Sequence, residues 1–246
     1  MTPDAPVFWF DEIDSTNEEA RRLAMAGNLG PLWIGAPSQS NGRGRLGRRW
    51  VSTDGNLFTT ALYAEPGGLD IASRTAFAAG LAVLDACQAL VPDVAFKLKW
   101  PNDVRVEGAK LCGILVESGR HDGTLWVAAG LGVNVKHAPE GTGQATQSLA
   151  GLGLAEDMSA RAVLEAIRPR FAARIDQARG DFQSLLRDWE AVGEGRDELV
   201  AAGPETDRVQ GRFEGLSETG GLILRLPDGQ TRTINAGDVE ILRHVG

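Results

Sequence analysis

The sequence predicts an α+β fold: a mixed β-sheet with helices packed on it, followed by a small β-barrel-like module. Three observations predict it. β-Favouring apolar runs separated by turn residues occupy much of 32–63 and 95–135, while 71–90 and 159–192 are helical in pattern. Past Gly193-Glu194-Gly195 the chain switches to short strands at close spacing. The 246 residues leave room for one large unit carrying a small one, and the change of pattern divides them as 1–193 and 194–246.

In chain order, Asp14-Ser15-Thr16-Asn17-Glu18-Glu19 offers two overlapping capping boxes, Ser15 with Glu18 and Thr16 with Glu19. They predict a short helix from near Thr16 that stops at Gly27. Residues 32–36 and 57–63 read as strands on either side of a loop rich in Gly and Arg. Residues 71–90, free of proline until Pro92, predict one largely buried helix lying on a sheet. Residues 95–100 alternate with period two, and 111–117 and 125–135 are apolar strands joined through the turn His121-Asp122-Gly123. Helices are expected at 159–178 and 181–192, the first kinked or broken near Pro169, where a donor is lost and the ring meets the preceding turn. Strands at 209–213, 221–226 and 231–235 follow, separated by Glu218-Thr219-Gly220 and Pro227-Asp228-Gly229.

Hydrophobic residues at 43% and charged residues at 24% exclude a disordered, collagenous or coiled-coil chain. A net charge of −8 argues against a surface built to neutralise a run of phosphates, so duplex DNA is not the expected partner. Cys87 and Cys112, without a CxxC pattern or a secretory start, fit a reducing compartment, and the cytoplasm is expected. The longest apolar stretch, 77–91, is interrupted by Asp85 and Gln88 and falls short of the about 18 residues a membrane span needs.

Gly42-Arg43-Gly44-Arg45-Leu46-Gly47 matches GxGxxG by letter, but no strand leads into it and no helix follows, so a dinucleotide site is not expected. What remains is a loop in which Arg43, Arg45, Arg48 and Arg49 stand without an acid. Glycines let backbone approach a ligand, and guanidinium forks match phosphate and carboxylate oxygens, which makes the loop a candidate anion clamp. Taken alone it reads equally as a solvated basic loop. Lys99-Trp100-Pro101-Asn102-Asp103 sets a cation, an aromatic, a rigid turn, an amide and a carboxylate at a strand end, although Pro-Asn-Asp is also an ordinary turn. Lys110 opens an apolar strand interrupted by Gly113, a mark of close approach to a ligand, while a lysine in that place also snorkels at a strand edge. Gly130, Gly132 and Asn134 share one strand face and predict a flat groove wall. His121, His137 and His244 lack metal-ligand spacing, and Cys112 reads as a packed hydrophobe, so neither a protein metal site nor a histidine base is expected.

In order along the chain, Asp14-Ser15-Thr16-Asn17, the GRGRxGRxW stretch after Gln39, KWPND at 99–103, KLxGILVE at 110–117 and residues 130–134 resemble the biotin protein ligase family. The likeness spans nearly the whole chain and is of the type without a DNA-binding domain, since only fourteen residues precede Ser15. It implies the class II synthetase-like catalytic fold shared by biotin and lipoate ligases, with a C-terminal SH3-like barrel. It further implies that biotin and ATP with Mg2+ give biotinyl-5′-AMP, which biotinylates a lysine of a biotin carboxyl carrier domain, with a homodimer left open. By family correspondence Lys110 handles the biotin carboxylate and α-phosphate, aided by Arg45, and Asp103 either orients the acceptor lysine or assists the metal. The same correspondence places Ser15, Thr16 and Gln39, with loop backbone near Gly42 and Arg43, at the ureido ring and Gly113, Gly130 and Gly132 along the walls, and counts Asn17, Gly44 and Ile114 among the ligand-binding residues. Trp50 would face the adenine, with Asn102 and Asn134 at the nucleotide, Arg48 among the cations that offset the reacting charges and Lys99 among the ligand-binding residues, and the arginine loop would order over the ligands. The rivals are a lipoate ligase or acyl transferase of the same fold and a non-catalytic nucleic-acid-binding module.

Overall fold

In a computed structural model, residues 1–242 are described, and His244 lies outside them. The chain runs β1 (Val7–Trp9), α1 (Thr16–Met25), β2 (Leu32–Ala36), β3 (Leu57–Ala64), α2 (Gly68–Ser73) and α3 (Thr75–Leu90). It continues through β4 (Phe96–Lys99), β5 (Asp103–Val106), β6 (Ala109–His121), β7 (Thr124–Val133), α4 (Ala160–Gly180) and α5 (Phe182–Ala191). The last strands are β8 (Leu199–Gly203), β9 (Val209–Leu216), β10 (Leu222–Arg225), β11 (Thr231–Ile234) and β12 (Asp238–Ile241).

Strands β1 to β7 form one mixed sheet in the order β1-β2-β3-β7-β6-β5-β4, parallel between β1 and β2 and antiparallel elsewhere. The β6-β7 hairpin turns at Asp122 and Gly123, both at positive φ, as the turn signal predicts. Strand alternation sorts the core into two layers. Trp33, Ala61 and Tyr63 face the main core with α3 and α4, whereas Leu32, Ile34 and Leu62 face a second cluster under α1. With both faces covered, β2 is buried along its whole length.

The expected helix at 71–90 is two helices divided at Arg74. The Arg74 guanidinium donates to the Ala178 carbonyl at 3.0 Å and lies 4.6 Å from the Phe182 ring centre, tertiary contacts that override a continuous local pattern. Of the kink or break expected near Pro169, the break does not occur: α4 runs through it. Its apolar residues Val163, Leu164, Ile167 and Phe171 are buried, and Phe171 meets Trp33 edge-on at 5.1 Å; that packing outweighs the missing backbone bond.

The C-terminal strands form a second, antiparallel sheet ordered β11-β10-β9-β8-β12. The expected barrel is not closed: β11 and β12 are its two edges and do not pair with each other among the described residues. β8 and β12 are additional to the predicted strands, as are β1 and β5 in the larger sheet. Between the sheets the chain pairs with β4: Leu98 donates to Val192 and accepts from Glu194, at 3.0 and 2.8 Å, which satisfies groups on the edge strand. The buried Trp100 indole donates to the Gly220 carbonyl at 3.0 Å, and Arg105 pairs with Glu194 at 3.2 Å, so the small sheet is docked against the large one.

Candidate active site

A cavity of about 600 Å³ opens where the glycine-bearing face of β6 and β7 meets the N-terminus of α1, the arginine loop and the edge of the C-terminal sheet. Its base depends on residues without side chains. Gly113 and Gly132 are paired across β6 and β7, and a β-carbon on either would stand 2.5 or 2.7 Å from the Trp50 ring. One on Gly130 would stand 2.1 Å from Asn17 Oδ1. The expected flat wall is therefore corrected: the glycines seat two side chains, and Trp50 and Asn17 present their own surfaces to the cavity. Ile114, Phe58 and Leu131 supply apolar lining.

Ser15, Thr16 and Asn17, all buried, form an uncharged polar end. Neither expected capping box forms, because the hydroxyls turn inward: Ser15 makes no side-chain cap, and Thr16 gives both its N–H and its hydroxyl to Gln39 Oε1, at 2.9 and 3.2 Å. Glu18 and Glu19 turn outward to Arg21 and Arg22. Gly42 stands behind the lining, where it lets the loop pass close to the Trp50 carbonyl.

Apart from Arg43, which reaches the polar end, the cations gather elsewhere around the cavity. Lys110 Nζ lies 2.8 Å from Asp103 Oδ1 and 5.2 Å from the Trp50 ring centre. Arg45 donates to Asn102 Oδ1 and to the Gly237 carbonyl, each at 3.1 Å, and Arg48 reaches Asp238 at 3.1 Å. Arg43 pairs with Glu18 and, at 2.9 Å, with Glu117, while Gly44 lines the cavity between the arginines. Counter-ions for the loop thus come from α1, β6 and β12, which the reading of an acid-free basic segment did not include. Burial lowers the proton affinity of Lys99, with the Arg105 charge adding to the effect, and burial lowers that of Arg45. An anion entering beside such poorly solvated cations interacts more strongly than it would in water.

Asn102 donates to the Ile114 carbonyl at 2.6 Å, and Asn134 donates to the carbonyls of Lys110 and Gln147 at 3.3 and 3.0 Å. Asn134 Oδ1 and Trp50 Nε1 are buried without hydrogen-bond partners, an acceptor and a donor in the cavity wall. Two contributors were not singled out in the sequence. Residues 139–146 bring Pro139, Thr142, Gln144 and Thr146 to the lining, and the Lys110 N–H bonds the Ala145 carbonyl at 2.8 Å. Arg208, Asp238 and Glu240 come from the C-terminal sheet. The glycines and proline of 138–143 were a usable signal for the first group; nothing local marks the second, which tertiary docking supplies.

Comparison with known proteins agrees over most of the chain. The model of the Biotin/lipoate A/B protein ligase family matches residues 9–134, and that of the Biotin protein ligase C terminal domain matches 200–242. A biotin--[acetyl-CoA-carboxylase] ligase of Paracoccus denitrificans is 37% identical, covering 92% of this chain and 96% of its own. A Mycobacterium tuberculosis protein of the same name is 34% identical, covering 94% and 87%. A biotin protein ligase from Aquifex aeolicus, solved in complex with biotin and ATP, superposes with a TM-score of 0.79 at 27% identity, covering 97% of this chain and 99% of that one. With its glycine-backed cavity, its lysine-bearing strand and both family domains in place, the chain belongs to the biotin/lipoate protein ligase family.

Proposed function

We propose that this protein is an ATP-dependent ligase that activates biotin as biotinyl-5′-AMP and transfers it to a lysine of a biotin carboxyl carrier domain of a carboxylase. The observation that carries the reading is the uneven polarity of one cavity. Neutral hydrogen-bonding groups of Ser15, Thr16 and Gln39 line one part of it and Lys110, Arg45, Arg48 and Lys99 another. A bicyclic urea with an acid tail needs that division: donors and acceptors for its ring, apolar walls along its length and cations for its carboxylate.

In the first step a biotin carboxylate oxygen attacks the α-phosphorus, the bond to the bridging oxygen breaks, and pyrophosphate leaves. Two unit charges about 4 Å apart repel by about 4 kcal/mol at an effective dielectric near 20, and fixed cations must offset that. Lys110 does so by exchanging Asp103 for the reacting anions, with Arg45 and Arg48 on the phosphates. Magnesium enters as part of the nucleotide substrate. Trp50 and Asn134 take the adenine end, where their orphaned N–H and carbonyl find partners. In the second step the acceptor amine attacks the acyl carbon, AMP leaves with the bonding pair, and the amine loses a proton; Asp103, beside Lys110, orients that amine. The units 1–193 and 194–246 act together, the second closing one side of the site. Among the described residues no helix is long and apolar enough to cross a membrane, and the free, buried Cys87 and Cys112 suit a cytoplasmic enzyme.

Exchange of labelled pyrophosphate into ATP is expected to depend on biotin and to fail with lipoate. Exchange supported by lipoate alone would overturn the substrate assignment.

A further inference from the structure

We infer that Glu117 is a positioning residue for this reaction, setting the Asn17 amide at the neutral end of the cavity while anchoring the arginine loop through Arg43. The inference rests on the ligase reading and adds a residue to it. Glu117 lies on β6, one carboxylate with two different guests: Oε2 accepts from Asn17 Nδ2 at 2.8 Å, and Oε1 accepts from Arg43 Nη2 at 2.9 Å.

Consider the amide first. Asn17 is buried, and its two ends face opposite chemistry. Nδ2 points to Glu117 and, at 3.3 Å, to the Leu115 carbonyl; Oδ1 lies 2.6 Å from the Thr60 hydroxyl, which is itself 2.8 Å from that of Thr16. Thr16 in turn donates to Gln39. The carboxylate accepts only, so it dictates that Nδ2 is the donor end of Asn17 and leaves Oδ1 to accept from the Thr60 hydroxyl in the cavity wall. Without it, the long bond to the Leu115 carbonyl alone holds Nδ2 on that side, and a flip would set Oδ1 against that carbonyl.

The second guest ties this end to the loop. Arg43 spans Glu18 of α1 and Glu117 of β6, so its guanidinium straps the start of the loop across the polar end. Glu18 is shared with Arg21, which leaves Glu117 as the strand-side anchor. Loop closure and the hydrogen-bond order of the pocket are therefore set by one side chain.

Steady-state pyrophosphate exchange and limited proteolysis of the full chain test this with Glu117→Ala, Glu117→Gln, Arg43→Gln and the double variant Glu117→Gln/Arg43→Gln. Glu117→Ala is expected to raise the KM for biotin about 10- to 100-fold, the consequence of a buried donor left unpaired, with the KM for ATP changed much less. Glu117→Gln keeps an acceptor for Asn17 and turns its amide towards Arg43, so most biotin affinity is retained while cleavage within 41–49 accelerates. Arg43→Gln, which also gives up the pair with Glu18, is expected to accelerate cleavage at least as much, and the double variant no further than Arg43→Gln. A biotin KM unchanged in a folded Glu117→Ala protein, or additive effects of Glu117→Gln and Arg43→Gln on cleavage, would overturn the inference. Should Glu117→Ala not fold, the two glutamine variants decide it. Absence of biotin-dependent exchange in the wild type counts against the ligase reading itself, and the substrate-free proteolysis arm then judges the anchor alone.

Discussion

Trp50 rests on Gly132: a single methyl group added there would come within 2.7 Å of the indole, and one on its strand neighbour Gly113 within 2.5 Å. The two glycines are thus spent on one ring. Gly132→Ala is expected to lower stability by about 1–3 kcal/mol through overpacking, and to raise the KM for ATP as the ring shifts. Combined with Gly113→Ala the cost should be less than additive, because both changes strike the same side chain. Urea unfolding and exchange kinetics check this; a ring unmoved and an ATP KM unchanged would mean that Trp50 does not face the nucleotide.

Lys110 is held 2.8 Å from Asp103 with both side chains largely buried, a cation poised between a resident carboxylate and an incoming one. Lys110→Ala is expected to slow adenylation by about 10²–10³, the range for loss of one fixed electrostatic stabiliser. Single-turnover formation of the adenylate measures it, and near-normal turnover would remove Lys110 from its role. Asp103→Asn frees the lysine and is expected to leave adenylation closer to wild type than the transfer to the acceptor.

Much of the larger sheet and of the cavity was legible because the signals were local. Residues 112–121 and 124–133 pair as strands, and nearly every residue expected around the ligand does line the cavity, since glycines and charged residues stood out against apolar runs. What local pattern hides is what other segments do to it. Thr16 and Glu19 spell a capping box, yet Gln39, twenty-three residues on, captures Thr16 instead. Arg43 reads as free charge until Glu117 arrives on a distant strand. β8 and β12 are short and carry small or acidic residues, so the sheet they complete is recognisable only once it pairs.

Asp14 makes the entry to α1 sensitive to acid. Arg22 grips its carboxylate with two bonds of 2.8 Å, and this holds the carboxyl at about 2 against an ordinary 3.8. Because the folded value is the lower one, the stabilisation is complete above about pH 4 and disappears as the pH falls through about 2. Solvent screening of this exposed pair limits it to about 0.2–1 kcal/mol. Asp14→Asn should therefore be less stable than wild type by that amount at neutral pH, with the gap closing in strong acid; urea melts across the range check it, and a gap independent of pH contradicts the assignment.

Trp100 joins the C-terminal sheet to the reacting residues. Its indole donates to the buried Gly220 carbonyl at 3.0 Å, and Pro101, Asn102 and Asp103 follow it directly, so the bond fixes the turn from which Asn102 holds Arg45 and Asp103 holds Lys110. Trp100→Phe keeps an aromatic ring and removes the donor. The stranded carbonyl is expected to cost about 1–3 kcal/mol, to hasten proteolysis within 199–242 and to lower kcat for exchange. The KM for biotin should stay near wild type, because Ser15, Thr16 and Gln39 are positioned by α1 and its own bonds. A biotin KM that rises in step with the loss of kcat would mean that Trp100 supports the whole cavity and not this turn.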